Sequence, residues 1–287
     1  MKVKVYIVTY NNDTALNRNL DSLYQSDLMD YDYEITVINN HSNFHADVDR
    51  HNLRVIHNTV RPDWSTGHLA RDWNFALIDG FRNVKDPDCD IVVACQNDTV
   101  FYPNWCSYIV GLHMGGASVR QKRYHFITFG HGDNFMSWTV KGVTNIGLWD
   151  ERFNSISYQE GDYFLRARRF HGNKSSINDH VHKRVHNEEE NKVVNTEYSQ
   201  HESNKEFKAT SNRKAIKSAS RVLYNKKWRC VCKSCRRRGT AKGMPYKHWD
   251  HPMDKLEQHV GSYLTYPYFE LPFRDNLRAQ KYLLWPS

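Results

Sequence analysis

Ile91-Val92-Val93-Ala94-Cys95-Gln96-Asn97-Asp98 is the stretch that decides the fold, because its apolar run stops at a polar, acidic tip. A short apolar run of this kind predicts a strand. In an open α/β sheet the tip of such a strand lies at the C-terminal edge, where these folds bind their ligands. The sequence therefore predicts that Asp98 faces a cleft, where its carboxylate can hold a divalent cation.

The segments around this strand alternate between strand patterns and helix patterns. Apolar runs predict strands over 3–9, 33–38, 53–57 and 91–95. Apolar residues at helical spacing predict helices over 13–25 and 67–81. The alternation predicts a largely parallel, doubly wound α/β sheet, in which the loops after the first, second and fourth strands converge on one nucleotide-sized crevice.

The later part of the chain predicts additions to this sheet. We expect two further strands, antiparallel in direction, over 125–130 and 136–140, and a helix over Gly161–Phe170. Beyond residue 187 the pattern changes to charged and basic segments. We therefore predict a catalytic domain over residues 1–190 and a basic C-terminal extension over residues 191–287.

The composition excludes a membrane-spanning class. The 287 residues are 39% hydrophobic, the mean hydropathy is -0.77, and no stretch approaches the roughly 20 apolar residues of a spanning helix. Residues 1–8 alternate like a strand and are too short for the apolar region of a signal peptide. We expect a cytoplasmic protein with reduced cysteines.

The net charge of +8 is concentrated in one segment. Residues 204–243 hold 14 Lys and Arg against the single acid Glu206, a local charge of +13, so the rest of the chain carries about -5. A concentrated excess of this kind is typical of a protein with a polyanionic partner, such as nucleic acid, an acidic glycan or a membrane surface. A solvated helix face or a basic linker would have the same composition.

A second acidic cluster follows the strand at 91–98 after about 60 residues. It comprises Tyr158-Gln159-Glu160-Gly161-Asp162-Tyr163-Phe164-Leu165-Arg166. Glu160 or Asp162 could face the same cleft and abstract a proton. Alternatively, the two acids could be caps at the N-terminus of the helix, where its dipole favours negative charge.

Four motifs in order resemble those of the GT-A glycosyltransferases, in particular glycosyltransferase family 2, over roughly residues 1–187. They are Val8-Thr9-Tyr10-Asn11, Val37-Ile38-Asn39-Asn40-His41-Ser42, Gln96-Asn97-Asp98 and the block from Gly147 to Arg166. The resemblance implies a metal-dependent, inverting transfer of a sugar from a nucleotide-diphosphate donor, with a UDP-sugar favoured, to an acceptor hydroxyl.

The resemblance also implies a set of donor-binding residues. Thr9, Tyr10 and Asn39 would line the base pocket, although Asn39 stands where the family usually has an acid. Arg71 and Asn74 match an Ala-Arg-x-x-Asn helix beside the donor, and the Arg71 guanidinium could bind a diphosphate through paired hydrogen bonds. A surface arginine on an amphipathic helix is the alternative. The full set of implied nucleotide-sugar contacts is Thr9, Tyr10, Asn11, Asn39, Arg71, Asn74 and Asn97.

The metal and the catalytic base are assigned by the same resemblance. Asp98 matches the last carboxylate of the family's Asp-x-Asp element, in which Gln96 replaces the first, and would bind Mn²⁺ or Mg²⁺ together with the donor phosphates. Glu160 matches the catalytic base, and Asp162 would bind the acceptor or act as an alternate base. The nearby Asp86-Pro87-Asp88-Cys89-Asp90 resembles Asp-x-Asp by spelling, but it precedes the strand and is predicted to be a turn at the opposite edge.

A histidine often follows the acidic block in the family and reaches the metal or the diphosphate. Asn178-Asp179-His180-Val181-His182-Lys183-Arg184-Val185-His186 offers three candidates. His186 is the first choice among them.

The basic extension has two further features. Cys230, Cys232 and Cys235, together with His248 or His251, could hold one tetrahedral Zn²⁺. Reduced cysteines packed as small apolar side chains are the alternative. Arg236-Arg237-Arg238 lies among tryptophans and tyrosines, a composition suited to neutralising phosphates and stacking on bases.

A GT-A enzyme with such a basic segment resembles the enzymes that add sugars to hydroxymethylated pyrimidines. The acceptor favoured by this resemblance is a hydroxylated or hydroxymethylated base in DNA, which the enzyme could reach by base flipping. A glycan, lipid or protein hydroxyl is the competing acceptor. A hypothesis of another class is a non-catalytic nucleic-acid-binding protein, since Gln96 and Asn39 both stand where acids are usual in the family.

Overall fold

A computed structural model describes the protein over residues 1–58, 67–115, 123–129, 134–151, 153, 155–170, 179–185, 194–195, 217–222, 224, 228–230 and 256–258. Within these residues, no helix combines the length and the apolar character that crossing a bilayer requires.

The central element is a seven-stranded sheet in the order β3-β2-β1-β4-β7-β6-β8. Six of its strands run in one direction, and β7 alone runs antiparallel to its neighbours β4 and β6. The predicted antiparallel direction is therefore confirmed for the strand over 136–140 and wrong for the strand over 125–130, because the intervening β7 reverses the direction again. Its strands are β1 (Lys2–Thr9), β2 (Asp32–Asn39), β3 (Leu53–His57), β4 (Ile91–Gln96), β6 (Arg123–Phe129), β7 (Phe135–Trp138) and β8 (Asp179–Val185). The carboxyl ends of the six co-directional strands therefore meet at one edge.

Helices cover both faces of the sheet, as the sequence predicts for a doubly wound fold. One core contains α1 (Asp13–Tyr24) and α3 (Trp105–Met114). The other contains α2 (Gly67–Phe81), α4 (Val140–Ile146) and α5 (Ile156–Phe170). The alternation of β1 decides the division, because Val5 and Ile7 face the first core while Tyr6 and Val8 face the second.

The predicted boundaries of the first elements are confirmed to within one or two residues. The α1 helix begins where the Asn12 side chain accepts a hydrogen bond from the Ala15 N–H at 3.0 Å, and it buries Leu16, Leu20 and Leu23 on one face. The α2 helix has the predicted bounds, Gly67–Phe81.

The predicted start of α5 is wrong. The helix begins at Ile156, so Gly161 is an interior residue rather than the first. An interior glycine costs up to about 1 kcal/mol of helix stability relative to alanine, so the sequence pattern favours a helix boundary at Gly161. Here the flanking Tyr163 and Phe164 are fully buried, and this packing offsets the cost. Glu160 and Asp162 consequently lie within the helix, and the alternative that they cap its N-terminus is wrong.

Shorter elements complete the described fold. A 3₁₀-helix covers Asp27–Asp30, and two-stranded pairs join β5 (Val100–Phe101) to β9 (Val194–Asn195) and β10 (Trp228–Cys230) to β11 (Leu256–Gln258). Val194 is fully buried and belongs to the core that α1 and α3 share. The predicted domain boundary at residue 190 stays a prediction.

The turn over 86–90 lies at the amino edge of the sheet, as predicted. Asp90 accepts a hydrogen bond from the backbone N–H of Lys2 at 2.7 Å, and Asp88 accepts one from Lys4 Nζ at 2.5 Å. Both lysines lie at the start of β1. The element with the Asp-x-Asp spelling is therefore remote from the carboxyl edge.

Candidate active site

The strand ends that the sequence singled out lie side by side at the carboxyl edge. Thr9 of β1 is opposite Asn39 of β2, which is in turn opposite His57 of β3. On the other side of β1, Val8 is opposite Gln96 of β4. The predicted convergence of these loops is confirmed.

The turn that carries Asp98 is braced from two sides. The Asn97 side chain donates to Thr9 Oγ1 at 2.9 Å and to the Asn12 carbonyl at 3.2 Å. The Asn19 side chain donates to the Thr99 carbonyl at 2.8 Å. Asp98, only 8% exposed, is thus held on a fixed turn. The contacts of Asn97 link the β1 and β4 loops, which makes it a positioning residue in this structure.

Asn39 shapes the loop after β2 from within. The side-chain oxygen Oδ1 of Asn39 accepts a hydrogen bond from the His41 N–H at 3.1 Å. The side-chain nitrogen Nδ2 donates to the His41 carbonyl at 2.7 Å and lies 3.1 Å from His57 Nδ1. Asn39 is only 1% exposed. An aspartate could make the first of these bonds but could not donate the second, which explains why an amide and not a carboxylate serves at this position.

A ring pair lies beside this loop at the carboxyl edge. The Tyr10 and His41 rings meet edge to face, with centroids 4.9 Å apart and planes at 84°, and both residues are partly exposed. Tyr10 was predicted to line a base pocket, whereas His41 was missed. The signal was available, because His41 lies two residues after the end of β2.

A chain of hydrogen bonds joins α2, at its sixth residue, to the loops after β2 and β3. The Asn58 side chain donates to Asn40 Oδ1 at 2.9 Å, and the Asn40 side chain donates to Asp72 Oδ2 at 2.7 Å. Asp72 is fully buried. Sequence reasoning missed Asp72, which lies between two residues that it did identify, Arg71 and Asn74.

Arg71 and Asn74 both contact the segment after α4. Arg71 Nε lies 3.4 Å from Glu151 Oε2, and the Arg71 side chain is 34% exposed. Asn74 donates to Glu151 Oε1 at 2.8 Å and to the Trp149 carbonyl at 2.9 Å, and it accepts from the Trp149 N–H at 2.7 Å. Asn74 is fully buried. The arrangement makes Asn74 a clamp on the backbone, while Arg71 retains an exposed surface.

Trp149, which Asn74 holds through its backbone, also contacts α5. The Trp149 ring stacks on the Tyr163 ring with centroids 4.2 Å apart and planes at 3°. Glu160 and Asp162 lie on the same helix and are 4% and 0% exposed. Asn74, Trp149 and Tyr163 therefore connect the helix that carries Arg71 with the helix that carries the two predicted catalytic acids.

No protein-family model and no curated protein matches this chain. Among solved structures it is similar to TarS from S. aureus, with 11% identity, 87% of this chain and 44% of that chain covered, and a TM-score of 0.50. The fold is the GT-A fold.

Two further solved structures are also similar to this chain. For TarS 1-349 in complex with UDP-GlcNAc, the identity is 11%, the coverage 88% of this chain and 74% of that chain, and the TM-score 0.46. For the mannosyltransferase PcManGT from Pyrobaculum calidifontis, in complex with GDP-Man and Mn²⁺, the values are 14%, 57%, 52% and 0.40. The chain spans about half the length of the PcManGT chain and of the longer TarS chain.

In this GT-A fold, Asp98 offers one carboxylate to a divalent cation. Among the residues that the structure describes, no three His, Cys, Asp or Glu side chains gather as a metal site. The oxygen donors of Asp98 and Gln96 suit a hard cation, but its remaining ligands must come from elsewhere.

The remaining predicted metal ligands lie largely outside the described residues. His180 and His182 lie in β8, which ends with Val185 at the carboxyl edge of the GT-A sheet, and His186 falls beyond it, outside the description. Cys230 lies in β10. Cys232, Cys235, His248 and His251, like Arg236 to Arg238, also fall outside the described residues.

One cavity lies away from this site. It has a volume of about 550 Å³ and is lined by Tyr102, Pro103, Asn104, Ser107 and Tyr108. The segment before it follows α1 away from the carboxyl edge, since Thr99 contacts Asn19 and the Pro103 carbonyl accepts from the Asp27 N–H at 2.7 Å. This cavity contributes no group to the candidate active site.

Proposed function

We propose that this protein is a glycosyltransferase, which moves a sugar from a nucleotide-diphosphate donor to an acceptor hydroxyl. The observation that carries the proposal is the clamp from Asn74 through Trp149 to Tyr163. It joins a helix that offers a guanidinium at the carboxyl edge to a helix that holds two buried carboxylates. Both sit in a GT-A fold, whose carboxyl edge is the expected place for a ligand.

The donor binds where the loops after β1, β2 and β4 meet. Tyr10 and His41 offer the base a partly exposed aromatic surface, while Thr9, Asn39 and Asn97 fix these loops through their hydrogen bonds. Asn11, which is exposed and has a positive φ of 45°, lies next to Tyr10 and can contact the ribose. We favour a UDP-sugar because of the motif resemblance.

Arg71 binds the donor diphosphate. Glu151 contacts Arg71 through Nε, which leaves the planar guanidinium oriented while part of its surface remains exposed. A guanidinium forms paired, charge-assisted hydrogen bonds with phosphate oxygens. Asp98 would hold Mn²⁺ or Mg²⁺, with His186 as a further ligand. The cation, when bound, supplies positive charge to the departing diphosphate.

Glu160 acts as the general base. It takes the proton from the acceptor hydroxyl as the oxygen attacks the anomeric carbon, the bond from that carbon to the β-phosphate oxygen breaks, and the nucleoside diphosphate departs. A single displacement of this kind inverts the configuration at the anomeric carbon. Asp162 orients the acceptor or serves as an alternate base. Support comes from their position on α5, the helix that the Trp149 and Tyr163 stack joins to the helix of Arg71.

The acceptor we favour is a hydroxylated or hydroxymethylated base in DNA. Support comes from the 14 Lys and Arg in residues 204–243, against one acid. Replacing Arg236, Arg237 and Arg238 with glutamine should weaken binding to duplex DNA and flatten its salt dependence. Unchanged DNA binding would point instead to a glycan, lipid or protein hydroxyl as the acceptor.

A structural Zn²⁺ bound by Cys230, Cys232 and Cys235, with His248 or His251, belongs to the same proposal. It would stabilise a segment that is rich in charge and poor in apolar residues. Metal analysis of the purified protein should find one zinc per chain, and a Cys232→Ser and Cys235→Ser double variant should lose it. An absence of zinc in the unaltered protein would leave the cysteines as reduced thiols.

The test of the function is the release of nucleoside diphosphate from a panel of UDP-glucose, UDP-GlcNAc and GDP-mannose with Mn²⁺. We expect turnover of one donor, abolished in Asp98→Asn and Glu160→Gln. Asp86→Asn is the matched control, because Asp86 belongs to the exposed turn at the amino edge. If no donor were turned over and DNA still bound, the protein would be a non-catalytic nucleic-acid-binding protein.

A further inference from the structure

Nearly two turns of α5 are buried on every side. Seven consecutive residues, from Tyr158 to Phe164, are buried. A helix at the surface of a domain normally exposes one face, so a turn that is buried all round must be covered on its outer face too. Tyr163 and Phe164 face the core with α2 and α4. Tyr158 and Asp162, four residues apart, form a different face of the same helix.

Tyr224, from the region after residue 190, lies against that outer face. Its ring lies 5.6 Å from the Tyr158 ring and 6.2 Å from the Phe153 ring, between centroids. Tyr224 is only 1% exposed. Its burial, and next the Asp162 carboxylate, raise the pKa of Tyr224 well above its ordinary value.

The residues just before Tyr224 show the same packing. Residues 217–222 are helical, and Ser220, four residues before Tyr224, is 2% exposed. Val222 is 51% exposed, so the opposite side of this helix faces solvent. The pattern is that of a helix docked by one face.

We infer that Tyr224 is a positioning residue for α5: its ring holds the two turns that carry Glu160 and Asp162 and anchors the basic C-terminal region on the face of this helix that Tyr158 and Asp162 form. The inference rests on the proposed glycosyltransferase function. It makes the region after residue 190 a part of the active site rather than an appendage. It also places the part of the basic segment around Tyr224 on the side of α5 that faces away from the core.

This placement predicts that changes at Tyr224 affect kcat more than the donor KM. The proposed donor contacts are Arg71, Asp98 and the strand-end loops, whereas the Tyr224 ring packs on Tyr158 and Phe153. Loss of the Tyr224 ring should therefore disturb the base and leave donor binding largely intact. A variant that keeps the ring but lacks the hydroxyl should retain most of the activity.

The experiment compares Tyr224→Ala, Tyr224→Leu and Tyr224→Phe with Val222→Ala as an exposed control on the same helix. The readout is hydrolysis of UDP-GlcNAc, UDP-glucose or GDP-mannose with Mn²⁺, in which water replaces the unknown acceptor. Water attacks the anomeric carbon, its proton passes to Glu160, and the nucleoside diphosphate leaves. Thermal unfolding of each variant is measured in parallel.

We expect kcat to fall at least tenfold in Tyr224→Ala and Tyr224→Leu, with the donor KM changed less than about twofold, and to recover in Tyr224→Phe. Wild-type kcat in both the alanine and the leucine variants would overturn the inference, as would equal changes in kcat and KM. If Tyr224→Ala fails to unfold cooperatively, Tyr224→Leu decides alone. Turnover by the unaltered protein shows that the proposed function holds even where this inference fails.

Discussion

The two edges of the central sheet differ in whether their buried charges are paired with opposite charges. At the amino edge, Lys4 is buried between Asp88 and Glu34, at 2.5 and 3.3 Å, and Lys2 lies 2.7 Å from Glu34. Toward the carboxyl edge, buried acids lie on α2, at the tip of β4 and in residues 150–162. Of the seven buried charged residues that the structure describes, Lys4 is the one base, and the acids are Asp72, Asp98, Asp150, Glu151, Glu160 and Asp162.

This difference separates stability from function. Opposite charges that neutralise each other need no further partner, whereas a concentration of buried acids costs stability and is kept where it serves binding or proton transfer. The position of an acid relative to the strand direction therefore says more about its role than the spelling around it. Asp86-Pro87-Asp88 has the Asp-x-Asp spelling and serves the amino edge, whereas Gln96-Asn97-Asp98 lies at the site.

The largest effect is expected from the carboxyl edge. Glu160→Gln removes the proposed base while keeping the shape of the side chain, so the rate of donor turnover should fall by about 10²–10⁴-fold. The midpoint of thermal unfolding should stay equal or rise, because one buried acid is removed. Steady-state kinetics and a thermal melt on the same preparation check both parts. A rate within threefold of the unaltered protein would remove Glu160 from the mechanism.

At the amino edge the opposite result is expected. Asp88→Asn takes away the closest partner of a buried lysine and should lower the free energy of unfolding by about 1–3 kcal/mol. Turnover per folded molecule should not change. Urea denaturation measures the first quantity and steady-state kinetics the second, with the exposed Asp86→Asn as control. A loss of activity without a loss of stability would break the contrast between the edges.

Glu151 lies between these extremes, because it contacts both Arg71 and Asn74. Glu151→Gln retains an oxygen that can accept from Asn74, but it removes the charge that orients Arg71. We expect the donor KM to rise about tenfold, equivalent to about 1.4 kcal/mol, with kcat changed less. Initial rates measured over a range of donor concentrations give both constants and test this. An effect on kcat alone would mean that Glu151 acts on α5 rather than on the donor.

The smallest effect concerns acid stability. The hydrogen bond from Lys4, ahead of other causes, lowers the pKa of Asp88 below its ordinary value of 3.8. A lowered folded-state pKa contributes stability that is present above the unfolded-state pKa and lost as the pH falls through the folded-state pKa. The stability gap between the unaltered protein and Asp88→Asn should therefore be constant from pH 7 to 5 and narrow below pH 4. Denaturation curves at several pH values measure it, and a gap that widened in acid would contradict the ion pair.

Much of the fold could be predicted from the sequence, because strand and helix periods are local signals. The bounds of α2 and the strand ends at Thr9, Asn39 and Gln96 follow from apolar runs that stop at polar residues. The start of α5 could not be predicted in this way, since tertiary packing overrides the low helix propensity of Gly161.

The candidate site could be predicted only in part. Arg71 and Asn74 were found through the motif, but their partner Glu151 lies 77 residues from Asn74, and no local pattern joins them. Asp72 was missed because its partner Asn40 comes from another loop, 32 residues away. The sequence alone gives no reason for an amide at Asn39, because its three contacts are with His41 and His57, and the contact with His57 is formed only in the folded sheet.

Thermal unfolding with UDP, GDP, CDP and TDP, each with and without Mn²⁺, tests the central claim that the carboxyl edge is the donor site. A ligand that binds only the folded state raises the unfolding temperature by mass action. The account predicts a rise with one nucleotide that depends on Mn²⁺, disappears in Asp98→Asn and persists in Asp88→Asn. A rise that survived Asp98→Asn and disappeared in Asp88→Asn, or no rise with any nucleotide, would contradict it.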